Sequence, residues 1–201
     1  MNLNPQNLHC LALNYKGVAM DDIEPLYFVK SLQALCSEGA QISYPARCKK
    51  LWTEVELAII VAKDGEQISE HDAPGYVAGY VVGADLTCEN VANRDHHLAY
   101  SKSRKNFCPV SSKIVRLHPD EMTHLELSTK INGRVTQTGN LSQMILNPFK
   151  ALSYVSFLTE LKKGDILMTG TPAGCENNML YRGDHVVHSI DKIGVLAYDI
   201  I

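Results

Sequence analysis

Residues 52–65, WTEVELAIIVAKDG, read as one long β-strand running into a turn, and the strand is apolar on both faces once Glu56 is passed. Residues two apart in a strand share a face. Glu54 and Glu56 therefore stand with Ala58, Ile60 and Ala62, while Val55, Leu57, Ile59 and Val61 stand opposite. A face open to water stays polar along its length, but this one starts acidic and turns apolar. Two readings of the glutamates stand at this point: a strand end fraying into solvent, or two carboxylates at the rim of something buried.

Around this strand the chain is β-rich. LYFVK (26–30), GYVVGADLT (79–87), SKIVRL (112–117), ELSTKINGRVTQTG (126–139), DILMTG (165–170), DHVVHSI (184–190) and the tail IGVLAYDI (193–200) all read as extended. Asn132-Gly133 between two alternating segments predicts a type I′ hairpin, because both central residues of that turn need positive φ. Two helices are expected. One spans 69–76, with Ser69 as N-cap and Asp72 completing a variant capping box. The other follows Asn147 as cap and Pro148 at the first helical position, with Phe149, Leu152, Val155 or Ser156, and Thr159 forming a stripe that can pack on a sheet.

With 201 residues, no repeat and no Pro/Ser linker, one domain over 1–201 is expected. The net charge of -3 gives no basic footprint for nucleic acid or an anionic membrane, so a small molecule or a protein is the expected partner. No apolar run approaches the roughly 18 residues that span a bilayer, and the N-terminus has no basic segment ahead of an apolar stretch. Cysteines 10, 36, 48, 88, 108 and 175 form no C-x-x-C pair. Reduced thiols in the cytoplasm follow as the expectation.

In GYVVGADLT, Asp85 shares its face with Gly79, Val81 and Gly83, so that face is nearly bare until the aspartate appears. Glycine there permits close approach of a backbone or a ligand. If this strand neighbours the first, Asp85 joins Glu54 and Glu56 as three hard oxygen donors suited to Mg²⁺ or Mn²⁺; otherwise Asp85 is a turn or cap residue. The TGTPAG loop (169–174) lacks the Lys-Ser/Thr ending of a phosphate-binding P-loop. Cys108 reads as a buried thiol, since no histidine lies near it in sequence.

The order of these motifs resembles the fumarylacetoacetate hydrolase superfamily, in its small members: acylpyruvases, oxaloacetate decarboxylases or tautomerases, and isomerase/decarboxylases of homoprotocatechuate breakdown. The resemblance is carried by ALNY (12–15), LYFVKS (26–31), EVELAIIVAK (54–63), DAPGYVAGYVVGADLT (72–87), KSRKNFCPV (102–110), INGRVTQTGNLSQMI (131–145) and LKKGDILMTGTPAG (161–174). It implies an α+β, β-rich fold, a mixed β-roll or sandwich with a few short helices, and a homodimer. It also implies that Glu54, Glu56 and Asp85 ligate Mg²⁺ or Mn²⁺, that the ion chelates a 2-oxo acid, and that Lys102 is catalytic. Thr171, Gly170, Arg104, Tyr15 and Lys30 would bind the substrate. Arg104 matches the homoprotocatechuate branch in particular.

The chain departs from that pattern in places. Hydrolases of the superfamily carry a histidine and a glutamate after the NY motif to activate water; Val18 and Asp21 stand there in this chain. Valine cannot accept a proton, so either Asp21, or Asp22 beside it, acts alone as the base or a histidine from elsewhere in the chain enters the site. Glu89 and Asn90 replace a usual arginine and aspartate, and Leu13 replaces an arginine before NY. Isomerisation and decarboxylation need an enolate stabilised but no activated water, so both are favoured over carbon-carbon bond hydrolysis. Hydrolysis of an acylpyruvate, a non-catalytic metal-dependent 2-oxo acid binder, and a metal-free interaction protein are the alternatives.

Overall fold

The computed structural model describes residues 4–18 and 23–201. Among these residues twelve strands build two sheets. The larger runs, edge to edge, β2 (Leu26–Lys30), β1 (Leu8–Ala12), β10 (Ile166–Met168), β5 (Leu51–Val61), β6 (Val77–Cys88), β7 (Cys108–Val110) and β3 (Leu35–Ser37). The smaller runs β4 (Gln41–Ile42), β12 (Gly194–Ile200), β11 (His185–Ile190), β8 (Glu126–Ile131) and β9 (Arg134–Asn140). Pairing is mixed: β1–β10, β3–β7 and β4–β12 are parallel and the other pairs antiparallel. This is the β-rich α+β fold with few helices that the sequence implied.

The central pair β5–β6 carries the core. Val55 and Leu57 to Val61 on β5, with Tyr80 to Val82, Ala84 and Leu86 on β6, are buried, as expected of strands covered on both faces. The hairpin between β8 and β9 forms at Asn132-Gly133, with φ of 51° and 80°. Helix α2 (Pro148–Leu158) begins where Asn147 accepts from the Phe149 and Lys150 amides. Its buried side is Pro148, Ala151, Leu152, Val155 and Ser156, so Phe149 lies at the margin of the stripe. Among the described residues no helix is long and apolar enough to cross a membrane.

Two expectations are corrected, and four further strands are added. Residues 69–76 give only a 3-10 turn over Ala73–Tyr76. The Ser69 hydroxyl accepts from the Asp72 amide at 3.2 Å and donates to Asp72 Oδ2 at 2.7 Å, in place of the backbone bond a capping box requires, and Pro74 has no N–H to continue an α-helix. Segment 112–117 is not a strand. Ser111 N–H donates to the Val82 carbonyl and Val115 then pairs with Tyr80, so three residues, 112–114, lie against Val81 alone and loop out. Strands β1, β3, β4 and β7 carried no period-two signal: β1 is buried at four consecutive positions and β7 contains Pro109.

The two sheets are tied by buried polar groups. Thr53 Oγ1 of β5 lies 3.1 Å from His188 Nε2 and 2.6 Å from the Tyr198 hydroxyl, and His188 Nδ1 lies 2.9 Å from Thr129 Oγ1. Gly139 of β9 brings the smaller sheet against the loop after β10, since a Cβ there would come within 2.5 Å of Pro172.

Candidate metal centre

Register makes the site. Glu54 of β5 is the cross-strand partner of Asp85 on β6, and Glu56 is the partner of Gly83. Directly opposed residues in an antiparallel pair face the same side. One oxygen from each of Glu54, Glu56 and Asp85 lies within 4.8 Å of the others. Glu56 and Asp85 are buried and Glu54 is half-buried. Gly83 leaves room that the end of Met168 fills, because a Cβ there would meet the Met168 Cε at 2.7 Å.

Two ammonium groups face these carboxylates. Lys102, at the end of the short helix α1 (Ala99–Lys102), donates to Glu54 Oε2 at 3.0 Å, Asp85 Oδ2 at 2.8 Å and Thr87 Oγ1 at 2.9 Å. Lys30, at the end of β2, donates to Asp85 Oδ1 at 2.5 Å and the Phe107 carbonyl at 2.6 Å. Burial opposes the Lys102 charge, but Asp85 and Glu54 outweigh it and hold the ammonium above its ordinary range. Burial likewise works against the charge on Asp85, yet Lys102 and Lys30 keep its carboxyl below the usual range. Glu56 goes the other way: burial, then the charges of Asp85 and Glu54, push it well above the carboxylate range. The Gly170 amide steadies its Oε2 at 2.6 Å.

With all three carboxyl groups ionised, the two ammonium groups leave one negative charge in excess, which is why burial without a cation drives Glu56 toward its protonated form and why a divalent ion would take the place of that proton. Such a cluster suits a small hard divalent cation. A second observation agrees: the buried Tyr15 hydroxyl has no hydrogen-bond partner among the described residues, and the Glu56 charge is felt at that phenol. The donor set therefore fits a divalent ion held by Glu54, Glu56 and Asp85.

Other side chains were not singled out from sequence. Trp52 Nε1 donates to Glu54 Oε1 at 2.8 Å, and Thr87 Oγ1 donates to the same oxygen at 3.3 Å. Parity along the strands could have found both, since Trp52 shares the Glu54 face and Thr87 the Asp85 face. Asp95 holds α1 by accepting from the Ser101 amide at 2.6 Å and hydroxyl at 2.7 Å, and Asn90 Oδ1 in turn accepts from the Asp95 amide at 2.9 Å. No standard cap spacing signals that arrangement.

Among the expected substrate-binding residues, Gly170 and Lys30 touch the carboxylates, and Thr171 follows Gly170 with its hydroxyl 3.2 Å from Gln137 Nε2. Arg104 is not brought to the cluster: its Nε donates to the Tyr100 carbonyl at 3.1 Å and its guanidinium lies 4.4 Å from the Tyr100 ring centre. Asp21 lies outside the described residues. Cys108 is buried with its thiol pushed up to about 12 by burial, as an inert core cysteine would be.

Comparison with known proteins now decides the family. Residues 6–201 match the family described as fumarylacetoacetate (FAA) hydrolase C-terminal. The chain belongs to the fumarylacetoacetate hydrolase family. The mitochondrial oxaloacetate tautomerase of Mus musculus is 31% identical over 204 residues, covering 97% of this chain and 91% of that protein. Among solved structures, a 2-hydroxyhepta-2,4-diene-1,7-dioate isomerase from Mycobacterium marinum superposes with a TM-score of 0.88 at 29% identity, over 98% of this chain and 75% of that one. A fumarylpyruvate hydrolase from Pseudomonas aeruginosa, solved with Mn²⁺ and pyruvate, shares the fold with a TM-score of 0.88 at 24% identity, over 98% of this chain and 90% of that one. Tautomerases, isomerases and hydrolases thus all occur among fumarylacetoacetate hydrolase relatives, and the mouse protein's mitochondrial designation means that family membership alone does not fix the compartment.

Proposed function

We propose that this chain is a divalent-metal-dependent isomerase or decarboxylase of small enolisable 2-oxo acids, with Mg²⁺ or Mn²⁺ held by Glu54, Glu56 and Asp85. The observation that carries the reading is the convergence of those three carboxylates on one face of β5–β6 with Lys102 Nζ beside them. When bound, the ion supplies Lewis acidity toward the keto oxygen of a 2-oxo acid. The chain's own groups do the rest. Lys102, kept as an ammonium by Asp85 and Glu54, serves as a fixed positive charge and hydrogen-bond donor where negative charge develops on the substrate, and not as a base. Lys30 neutralises Asp85 from behind, and the Gly170 amide fixes the Glu56 carboxylate in place. Thr171 donates to the substrate carboxylate. The Tyr15 hydroxyl, buried and without a partner among the described residues, lines the same space. Asp21 is the candidate carrier of a proton.

Val18 is what favours isomerisation or decarboxylation over hydrolysis, because an isopropyl group where a base is required cannot activate water. The tautomerase and isomerase relatives support the same preference. A single catalytic domain is proposed because the polar network through Thr53, His188 and Thr129 ties both sheets together. We further propose a homodimer acting in the cytoplasm, which sedimentation and cell fractionation test.

The direct test is to titrate Mg²⁺ and Mn²⁺ into purified protein while following the ultraviolet spectra of oxaloacetate and of a 2-hydroxy-dienedioate, with carbon dioxide release measured in parallel. Metal-dependent spectral change is the expected result. Unchanged spectra with every substrate would sink the enzymatic reading. Ligand-dependent stabilisation without turnover would favour a 2-oxo acid binder instead, and pyruvate release from an acylpyruvate would favour the hydrolase.

A further inference from the structure

Gln137 of β9 is buried beneath the 170–174 loop, and its amide orientation is fixed by two backbone carbonyls that can only accept. The first is the Thr53 carbonyl. Asn178 points an amide group at it from 2.9 Å, so that group must be Nδ2, and the same nitrogen reaches Gln137 at 2.7 Å. The Gln137 atom that meets it is therefore the acceptor Oε1, which Thr129 Oγ1 also approaches at 3.3 Å. Asn178 Oδ1 is left without a partner among the described residues, but turning the group over would set oxygen against oxygen at Thr53. The second carbonyl is that of Pro172, which lies 2.8 Å from the other end of the Gln137 amide and requires Nε2 there. Both ends agree.

The same Nε2 lies 3.2 Å from Thr171 Oγ1 and, at the longer distance of 3.4 Å, from the Ala173 carbonyl. An amide nitrogen only donates, so the threonine oxygen is forced to accept. Its own hydrogen then has to leave in another direction, and among the described residues nothing accepts it. We infer that Gln137 is a positioning residue that turns Thr171 into an obligate donor, making this corner of the site selective for an acceptor-only group, an ionised carboxylate. The inference rests on the proposed reading in which Thr171 faces the carboxylate of a 2-oxo acid. A hydroxyl whose direction is fixed in advance gives up less rotational freedom on binding than a free rotor does.

The test uses oxalate as the acceptor-only probe, with Mn²⁺ present, on the full chain. Trp52, hydrogen-bonded to Glu54 Oε1, reports metal binding separately through its fluorescence. Gln137→Glu offers Thr171 an acceptor and withdraws the donor. Oxalate affinity is expected to fall roughly ten- to hundredfold, the worth of a hydrogen bond to a charged group, with the Mn²⁺ midpoint unchanged. In the Thr171→Val background the same substitution is expected to cost much less, because the hydroxyl it reverses is gone, and Thr171→Ser is expected to restore the full effect. Gln137→Met, which frees the rotor without capturing its hydrogen, is expected to lose less than Gln137→Glu. Should Gln137→Glu fail to fold, Gln137→Met carries the test alone, with a loss present beside Thr171 and absent in the valine background.

Equal losses in the threonine and valine backgrounds, or a loss shared equally with Mn²⁺ binding, would overturn the inference and leave Gln137 a structural residue. Wild-type protein that binds Mn²⁺ but no oxalate would overturn the proposed reading of the site, and this inference with it.

Discussion

Replacing Lys102 with methionine keeps most of the side chain's length and removes one of two ammonium groups from a buried cluster of three carboxylates. The ammonium gives hydrogen bonds of 3.0, 2.8 and 2.9 Å to Glu54, Asp85 and Thr87. Removing one partner of a buried ion pair costs about 3–5 kcal/mol, since the other charge stays behind unpaired. For a chain of this size each kcal/mol lowers Tm by roughly 2–4 °C, so in the presence of a chelator the variant is expected to melt about 6–20 °C below the wild type. Once it has displaced the Glu56 proton, a divalent cation then meets an excess of two negative charges in place of one. To first order the Coulomb attraction about doubles, and millimolar Mg²⁺ is expected to raise the variant's Tm more than it raises that of the wild type. Differential scanning fluorimetry at pH 8, with chelator and then with Mg²⁺, measures both numbers. A variant that melts within about 2 °C of the wild type in chelator, below the shift any lost buried pair gives, and that gains no extra stability from Mg²⁺ would refute the argument. The carboxylates would then not form a cation site.

Three other perturbations probe different parts of the molecule. Trp52 is the chain's single tryptophan and donates to Glu54 Oε1, so Mn²⁺ is expected to quench its emission, and Asp85→Asn to shift the midpoint at least roughly tenfold upward, the worth of one lost charged contact; emission that ignores Mn²⁺ argues against ligation by Glu54. Burial pushes His188 down to about 3, among the neutral groups of Thr53, Thr129 and Tyr198. Its neutral form therefore contributes stability that is present above the unfolded pKa and is lost as pH falls from about 6.5 toward 3, by roughly 1.4 kcal/mol per unit; denaturant melts of His188→Gln at pH 7 and pH 5 are expected to show a flatter acid limb. Gly139→Ala puts a Cβ within 2.5 Å of Pro172, which is expected to displace the Thr171 loop and weaken oxalate binding while sparing Mn²⁺ binding; equal loss of both would place the disturbance elsewhere.

What sequence made legible follows from the range over which each signal acts. Parity along a strand is local, so the shared face of Glu54 and Glu56 could be read directly, and so could the Asn132-Gly133 turn. The adjacency of β5 and β6 could not: their register is set by tertiary packing, and the family resemblance supplied what spacing left open. The expected helix at 69–76 failed because a good cap does not outweigh a proline without an N–H one turn later. Gln137, Asn178, His188 and Thr53 meet across 41 to 135 residues of chain. No window of sequence contains that network, and each of its members alone reads as an ordinary polar residue.

The cross-strand pair Glu54 and Asp85 also bears on how such a site can change. Both carboxylates lie within the two longest strands among the described residues, Glu54 fourth of eleven on β5 and Asp85 ninth of twelve on β6, where a one-residue slip would turn them to the opposite face. Lys102 and Thr171 hang instead from a short helix and a loop, where length and sequence can vary without disturbing that register. The molecule is in this sense a fixed socket with exchangeable fittings. Any change in the length of β5 or β6 would break the register that brings Glu54, Glu56 and Asp85 together, and with it the proposed cation site.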